Sequence, residues 1–316
     1  MSPMFKQWMA VAIAACGMFL LPSAHAEKKL TSVGMTVGVL GNPFFSSLAK
    51  GATDEARKLG GPDVKVTVLA HNWDVSKQVS QIENFIASKV DMIVLDPADP
   101  KALTPVLAKA RAAGITVVAL DDASEGVQYT IMADSVAAGR NSCEYLAKEI
   151  GNKGNVILVS GPPVTTVFDR INGCKEALAK HPDIKILSDD QDAKGTREGA
   201  LQVTQDLLTR FPKVDAIYNI NDQCAIGSLL AVKQARRTGI ILTSVDGSPE
   251  AVSEIKKPHS IFVASSAQDP NEMGRNAVEV GFGIMNGKAP AQTLVLMPTP
   301  VITKENASTY VGWKPL

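Results

Sequence analysis

The side chains best suited to chemistry stand where apolar runs of the sequence end. They are carboxylates, amides and aromatic rings, with few basic groups among them. The set consists of Asn42, Phe44, Phe45, Asp121, Asp122, Asn221, Asp222, Asp246 and Gln268. A single Asp or Asn at such a junction is as readily a helix cap, and that alternative stays open at each position.

Taken together, these residue types suit a neutral ligand rich in hydroxyl groups. A carboxylate accepts hydrogen bonds from neighbouring hydroxyls, and an amide both donates and accepts. The face of an aromatic ring packs on the apolar C–H face of a sugar ring. We therefore interpret Phe44 and Phe45 as one wall of a ligand cleft, the alternative being that both are ordinary core residues.

The elements that must position these side chains alternate along the chain. The predicted strands are 64–70, 92–96, 115–121, 155–161, 183–189, 214–222 and 239–247. Further apolar runs come before the Gly41-Asn42-Pro43 turn and before Gln268, and in 129–141 an extended run passes straight into a helix. Segments with helical spacing lie between them, among them one capped by Asp74, one near 169–180 and one near 197–210. The strand-helix order and the unbroken apolar strands predict an α/β protein with two doubly wound parallel sheets. In such sheets ligands bind beyond the carboxyl ends of the strands, where the polar residues lie.

The first 26 residues have the order of a secretory signal. Lys6 precedes an apolar stretch, and Ala24-His25-Ala26 forms a small-residue site that predicts cleavage after Ala26. A lipoprotein cleavage site that ends at Cys16 is the alternative. The apolar stretch is short for a membrane span.

Composition argues against several classes of function. The 32 basic and 32 acidic residues balance, so the chain has no basic footprint for nucleic acid. Histidines and cysteines are scattered without a C-x-x-C pair, and we expect neither a metal centre nor a cofactor. The sequence lacks the G-x-S-x-G, H-E-x-x-H and G-x-G-x-x-G motifs, so we do not expect an enzyme.

Two cysteines fall on neighbouring predicted helices. Cys143 and Cys174 lie before and after the strand at 155–161, and helices that flank one strand can pack side by side. We predict a disulfide between them and a free thiol at Cys224. Three buried thiols are the alternative.

Several motifs, in this order and spacing, resemble the periplasmic substrate-binding proteins of the ribose/galactose type, the soluble receptors of ABC sugar importers. The motifs are GNPFF (41–45), VVALD (117–121), ADSVAAG (133–139), FDRINGC (168–174), YNINDQCAIG (218–227), SVDGSPEA (244–251) and AQDPNEMG (267–274). The resemblance extends over residues 29–304. It implies a sugar site formed by Asn42, Phe44, Phe45, Asp121, Arg170, Asn221, Asp246 and Gln268, in which Arg170 is assigned by the resemblance alone.

The resemblance also implies a type I periplasmic binding protein fold, in which a three-segment hinge joins two lobes. After the signal peptide at 1–26, the N-terminal lobe is expected to comprise 27–133 and 268–298. The C-terminal lobe is expected to comprise 134–267 and 299–316.

The implied function is the capture of a small sugar or polyol, with a pentose-like ligand favoured. The protein is expected to be a monomer in the periplasm and to deliver its ligand to the membrane permease of an ABC importer. A sensory receptor for a sugar or furanosyl signal, coupled to chemotaxis or a signalling kinase, is the alternative. A transcription repressor of this fold would carry a helix-turn-helix where this sequence has its signal peptide.

Two positions depart from the family pattern. Asp122 stands where pentose binders usually have an arginine, and Gly195 lies near the place of an aromatic residue that covers the sugar. We expect Asp122 either to accept a ligand hydroxyl beside Arg170 or to face solvent at the rim of the cleft. Trp73 is a candidate for the missing aromatic wall, or else a partly buried packing residue.

Overall fold

The fold is described by a computed structural model over residues 27–313, and the predicted signal peptide at 1–26 lies outside the described residues. In chain order the strands are β1 (Ser32–Val37), β2 (Lys65–Ala70), β3 (Met92–Leu95), β4 (Thr116–Leu120), β5 (Tyr129–Ala133), β6 (Gly154–Val159), β7 (Ile184–Ser188), β8 (Ala216–Asn219), β9 (Ile241–Asp246), β10 (Phe262–Ala267), β11 (Leu294–Met297) and β12 (Val301–Thr303). The helices are α1 (Pro43–Gly60), α2 (Val75–Ala87), α3 (Thr104–Ala112), α4 (Ser135–Glu149), α5 (Thr165–Leu178), α6 (Arg197–Arg210), α7 (Asp222–Gln234), α8 (Pro249–Ile255) and α9 (Pro270–Met285). Within residues 27–313, no helix has the length and apolar character that a membrane crossing requires.

The strands form two six-stranded sheets. Their orders are β11-β5-β4-β3-β1-β2 and β12-β10-β9-β8-β6-β7. Neighbouring strands are parallel, except that the edge strand β12 runs antiparallel to β10. The predicted α/β class with two doubly wound parallel sheets is confirmed, whereas β11 and β12 were not predicted from the sequence.

Each sheet is covered by helices on both faces, and the strand sequences reflect this. Met92 and Val94 of β3 join the apolar cluster beneath α1 and α9. Ile93 and Leu95 of the same strand join the cluster beneath α2 and α3 on the other face. Because successive side chains of a strand point to opposite faces, a strand that is covered twice is apolar at every position.

Helices and sheets assemble into two lobes. We call the first sheet with α1, α2, α3 and α9 the N-terminal lobe, and the second sheet with α4 to α8 the C-terminal lobe. The chain passes between them from β5 to α4, from β10 to α9 and from β11 to β12, and we call these three connections the hinge segments. The residue boundaries predicted above for the lobes stay a prediction.

Helices α4 and α5 are held unusually close together. A Cβ atom built on Gly139 of α4 would lie 1.9 Å from the carbonyl oxygen of Arg170 on α5, so only glycine permits this approach. One turn further along, the predicted disulfide between Cys143 and Cys174 is present, with the two Cα atoms 5.1 Å apart. Cys224 is a buried free thiol, as predicted.

Candidate functional site

A cavity lies between the two lobes, beyond the carboxyl ends of both sets of parallel strands. It contains about 470 Å³ of space between atoms, part of it open to solvent. The lining residues that were predicted from the sequence are Asn42, Phe44, Phe45, Asp121, Arg170, Asn221, Asp246 and Gln268. The lining residues outside that set are Val39, Trp73, Pro162, Val164, Thr166, Val167, Gly195 and Ile220.

The aromatic wall is built at the start of α1. Asn42 caps the helix by accepting a hydrogen bond from the backbone N–H of Phe44, at 3.0 Å, and it lines the cavity at the same time. Phe44 and Phe45 meet edge to face, with ring centroids 5.3 Å apart. Helix cap and cavity wall are therefore not alternatives at Asn42, since the turn that begins the helix also positions the rings.

Trp73 extends this wall across the cleft. Its ring packs edge to face on Phe45, with centroids 5.9 Å apart. It also contacts the apolar clusters of both lobes. The backbone of Trp73 has a positive φ of 62°, which is rare for a large side chain and costs about 1 kcal/mol or more. Trp73 therefore has both of the roles considered from the sequence, since it lines the cavity and is a partly buried packing residue.

Two cavity carboxylates also sit on strained backbone. Asp121, which follows β4, has φ at 65°, and Asp246, which ends β9, has φ at 131°. Residues in such conformations cluster at functional sites, because the surrounding fold must hold them there. The backbone conformation at these two positions therefore determines the direction in which each carboxylate points.

In the C-terminal lobe the polar lining forms a connected network. Oδ1 of Asp246 accepts a hydrogen bond from Gln268 at 2.8 Å and lies 3.9 Å from Nη1 of Arg170. Arg170 also donates to the carbonyl oxygen of Ile220 at 2.9 Å. Asn221 caps α7 and donates to the carbonyl oxygen of Gly195 at 3.1 Å. These bonds hold each group in one orientation toward the cavity.

Four lining residues keep a buried polar atom without a hydrogen-bond partner. The atoms are Nε1 of Trp73, Nε of Arg170, Oδ1 of Asp121 and Oε1 of Gln268. Two are donors and two are acceptors. A buried polar atom without a partner costs about 1–3 kcal/mol, so four of them around one cavity indicate a ligand that both donates and accepts.

Burial and repulsion from neighbouring carboxylates raise the pKa of the two carboxyl groups that line the cavity. Burial raises the pKa of Asp121 well above its ordinary value, the charges of Asp122 and Asp96 raise it further, and Arg170 lowers it. Burial likewise raises the pKa of Asp246, with the charge of Asp222 adding to the effect and Arg170 and Gln268 opposing it. Hydroxyl donors from a ligand would stabilise the ionised form of both groups.

Asp122 occupies neither of the two positions expected from the sequence. It does not face solvent, since only 1% of it is exposed, and it does not line the cavity. The chain turns at Asp121, which directs the next side chain away from the cavity and toward the N-terminus of α5. There Asp122 accepts a hydrogen bond from the backbone of Thr166.

Asp222 is likewise absent from the lining. It is fully buried and accepts hydrogen bonds from Ser244, from Ser265 and from the backbone of Ser248. Its role is to hold β9, β10 and the start of α8 together. Of the lining residues outside the predicted set, Pro162, Val164 and Thr166 follow β6, so the rule that ligands bind beyond strand ends could have identified them.

Comparison with known proteins gives a consistent result. Residues 33–289 match the family described as periplasmic binding protein domain. The ribose import binding protein of Bacillus subtilis (strain 168) is 30% identical over 276 residues, which are 86% of this chain and 88% of that protein.

Solved structures are similar over nearly the whole described chain. An ABC transporter periplasmic solute binding protein from Actinobacillus succinogenes 130z with bound D-allose matches with a TM-score of 0.80 at 29% identity, over 89% of this chain and 100% of that chain. Caulobacter myo-inositol binding protein bound to myo-inositol matches with a TM-score of 0.81 at 28% identity, over 92% and 98% of the two chains. The chain therefore belongs to the periplasmic binding protein family, as a solute-binding protein of the ribose/galactose type and not an enzyme.

Proposed function

We propose that the protein captures a neutral monosaccharide or polyol in the cavity between its lobes and delivers it to the permease of an ABC importer. The observation that carries this proposal is the set of four unpartnered polar atoms beside the aromatic wall. Hydroxyl groups satisfy both donors and acceptors, and the rings cover the apolar face of the ligand.

The charged residues and the shape of the cavity wall restrict the class of ligand further. The charged residues that line the cavity are Asp121, Asp246 and Arg170, and Nη1 of Arg170 already lies 3.9 Å from Asp246, so sugar acids and sugar phosphates would find no unpaired cation in this lining. The aromatic wall lies in the N-terminal lobe, and Gly195 lines the C-terminal side with a positive φ of 63° that disfavours any larger residue. We place pentoses and pentitols first among the candidates, because the Bacillus subtilis relative is a ribose import binding protein, followed by hexoses and cyclitols, because the similar solved structures hold D-allose and myo-inositol.

The cellular setting follows from the same proposal. Cleavage after Ala26 would release a monomer into the periplasm, where the closed form would dock on the permease. The relatives support this setting, since one is a ribose import binding protein and another is a periplasmic solute binding protein of an ABC transporter.

A thermal-shift screen followed by titration calorimetry tests the proposed function. Pentoses, hexoses, deoxysugars, pentitols and cyclitols are screened, with sugar phosphates and sugar acids as the charged comparison. We expect upward shifts for one neutral compound and its close analogues and none for the charged compounds.

Variants of the lining provide the control for that screen. Asp121→Ala, Arg170→Ala and Asp246→Ala should each remove the shift, whereas Asp54→Ala, on the exposed face of α1, should keep it. A ligand-induced rise in melting temperature that persists in all three lining variants would place the binding site elsewhere. A screen in which no compound raises the melting temperature would refute the proposal that the ligand is a neutral sugar or polyol.

A further inference from the structure

Asp122 and Thr166 join the two lobes directly. Asp122 follows β4 in the N-terminal lobe, and its Oδ1 accepts a hydrogen bond from the backbone N–H of Thr166 at 2.7 Å. Thr166 lies in the first turn of α5, in the C-terminal lobe. Among the described residues, no other pair of residues is hydrogen-bonded between the two lobes away from the hinge segments. Because the pair lies on opposite lobes, a hinge motion that opens the cleft would separate the two residues.

Helix α5 has no cap of its own. The first N–H groups of a helix find no partner within the helix, and a side chain just before it usually supplies one. In the described chain every helix other than α3 and α5 is capped in this way. The residue before α5 is Val164, whose side chain has no acceptor. Asp122 supplies the missing acceptor from the opposite lobe, and its charge lies at the positive end of the helix dipole.

The second oxygen of Asp122 faces another acid. Asp96 is fully buried, and its Oδ2 accepts from the backbone N–H of Gly38 at 3.0 Å. The remaining oxygens, Oδ1 of Asp96 and Oδ2 of Asp122, are buried and have no donor. One carboxyl oxygen from each of Asp96, Asp121 and Asp122 lies within 4.8 Å of the other two, and the carboxyl groups of Asp96 and Asp122 are close enough to hydrogen-bond when one of them is protonated. A single proton held between Asp96 and Asp122 satisfies both orphan oxygens and removes one of three adjacent charges.

We propose that Asp122 is a positioning residue that holds the cleft closed by capping α5 of the opposite lobe, while a proton shared with Asp96 satisfies its second oxygen. This role rests on the proposed function in one respect, which is that the closed cleft retains a bound ligand. Asp122 acts through Thr166 and α5, which carries Arg170, and does not touch the ligand itself. It therefore contributes equally to the retention of every ligand that fits the cavity.

Substitution of Asp122 tests the proposal with D-ribose, D-allose, xylitol and myo-inositol as probes at pH 5.5. Asp122→Ala should weaken every probe that the wild type binds by the same factor, about tenfold, through faster dissociation. Asp122→Asn should stay within about threefold of the wild type, because its amide oxygen accepts from Thr166 while its amide group donates to Asp96. Glu125→Ala, an exposed acid in the same loop, is the matched control and should change nothing.

Three results would overturn the proposal: an Asp122→Ala variant that binds like the wild type, an Asp122→Asn variant as weak as Asp122→Ala, or losses that differ several-fold between probes. If the wild type binds none of these four probes, the wider screen above decides the proposed function, and small-angle scattering of the ligand-free protein decides the role of Asp122. A larger radius of gyration for Asp122→Ala than for the wild type supports the cap, and equal radii refute it.

Discussion

The indole N–H of Trp73 is a buried donor that the protein leaves without a partner. In Trp73→Phe the ring still packs on Phe45, but the donor is removed. We expect ligand affinity to fall about three- to tenfold, the value of one ordinary hydrogen bond, while the melting temperature of the ligand-free protein rises or stays the same.

Trp313 offers a control for that substitution. Its indole N–H donates to the carbonyl oxygens of Asp246 and Gln268, at 3.1 and 3.0 Å, and its ring packs on Phe44. Trp313→Phe should therefore lower the melting temperature of the ligand-free protein. Calorimetric scans and titrations of both variants measure these effects, and a Trp73→Phe variant that binds at full strength would show that the ligand does not use this donor.

The sequence predicted which residues form the site more readily than it predicted where their side chains point. Strand ends identified the positions of Asp121 and Asp246, because the sheet topology alone places them at the cleft. The side chain of Asp122 could not be placed, because its direction depends on the positive φ of Asp121 and on an acceptor that α5 requires. Neither feature leaves a local signal in the sequence.

At the scale of elements, the start of a helix could be predicted from the sequence where the capping residue directly precedes the helix. Asp74 caps α2 as expected, by accepting from the backbone of Lys77. The helix expected near 169–180 instead spans Thr165–Leu178, starting four residues earlier, because its cap comes from the other lobe. The edge strands β11 and β12 do not have the fully apolar, doubly covered character of the inner strands, since Leu294 and Leu296 of β11 are exposed and β12 is only three residues long.

The disulfide between α4 and α5 should contribute to the stability of the C-terminal lobe. It closes a loop of 31 residues, for which the loss of chain entropy in the unfolded state predicts a stabilisation of about 3–4 kcal/mol. We expect the Cys143→Ala/Cys174→Ala variant to unfold at lower denaturant concentration by about 2–4 kcal/mol with ligand affinity retained, because neither cysteine lines the cavity.

Reduction provides the matching control. Dithiothreitol should destabilise the wild type by the same amount and leave the double variant unaffected. Burial raises the pKa of the Cys224 thiol, so it should not react with alkylating reagents before unfolding. A wild type whose denaturation midpoint does not respond to reduction would contradict this prediction.

At the scale of the whole molecule, cleft closure should be linked to the uptake of protons. The groups that face Asp122 are Asp96 and Asp121 from the N-terminal lobe and Asp169 and Arg170 from the C-terminal lobe. Burial raises the pKa of Asp122 to about 6 in the closed form, against the opposing effects of Thr166 and Arg170. Nearby His71 stays neutral above pH 5, because burial lowers its pKa to about 4.

The sign of the pH dependence follows from that shift. An open cleft admits water to Asp122, so its pKa there lies nearer the ordinary value of about 3.9. A group whose pKa is higher in the closed form favours closure at low pH, and that contribution is lost as the pH rises through about 6. We expect the affinity of the wild type, divided by that of Asp122→Asn, to be about tenfold higher at pH 5 than at pH 7.5, because Asp121 and Asp246 titrate in both proteins and only Asp122 is removed. Calorimetry in two buffers of different ionisation enthalpy should show more proton uptake on binding by the wild type than by the variant. A ratio that is flat or increases with pH would show that closure does not raise the pKa of Asp122.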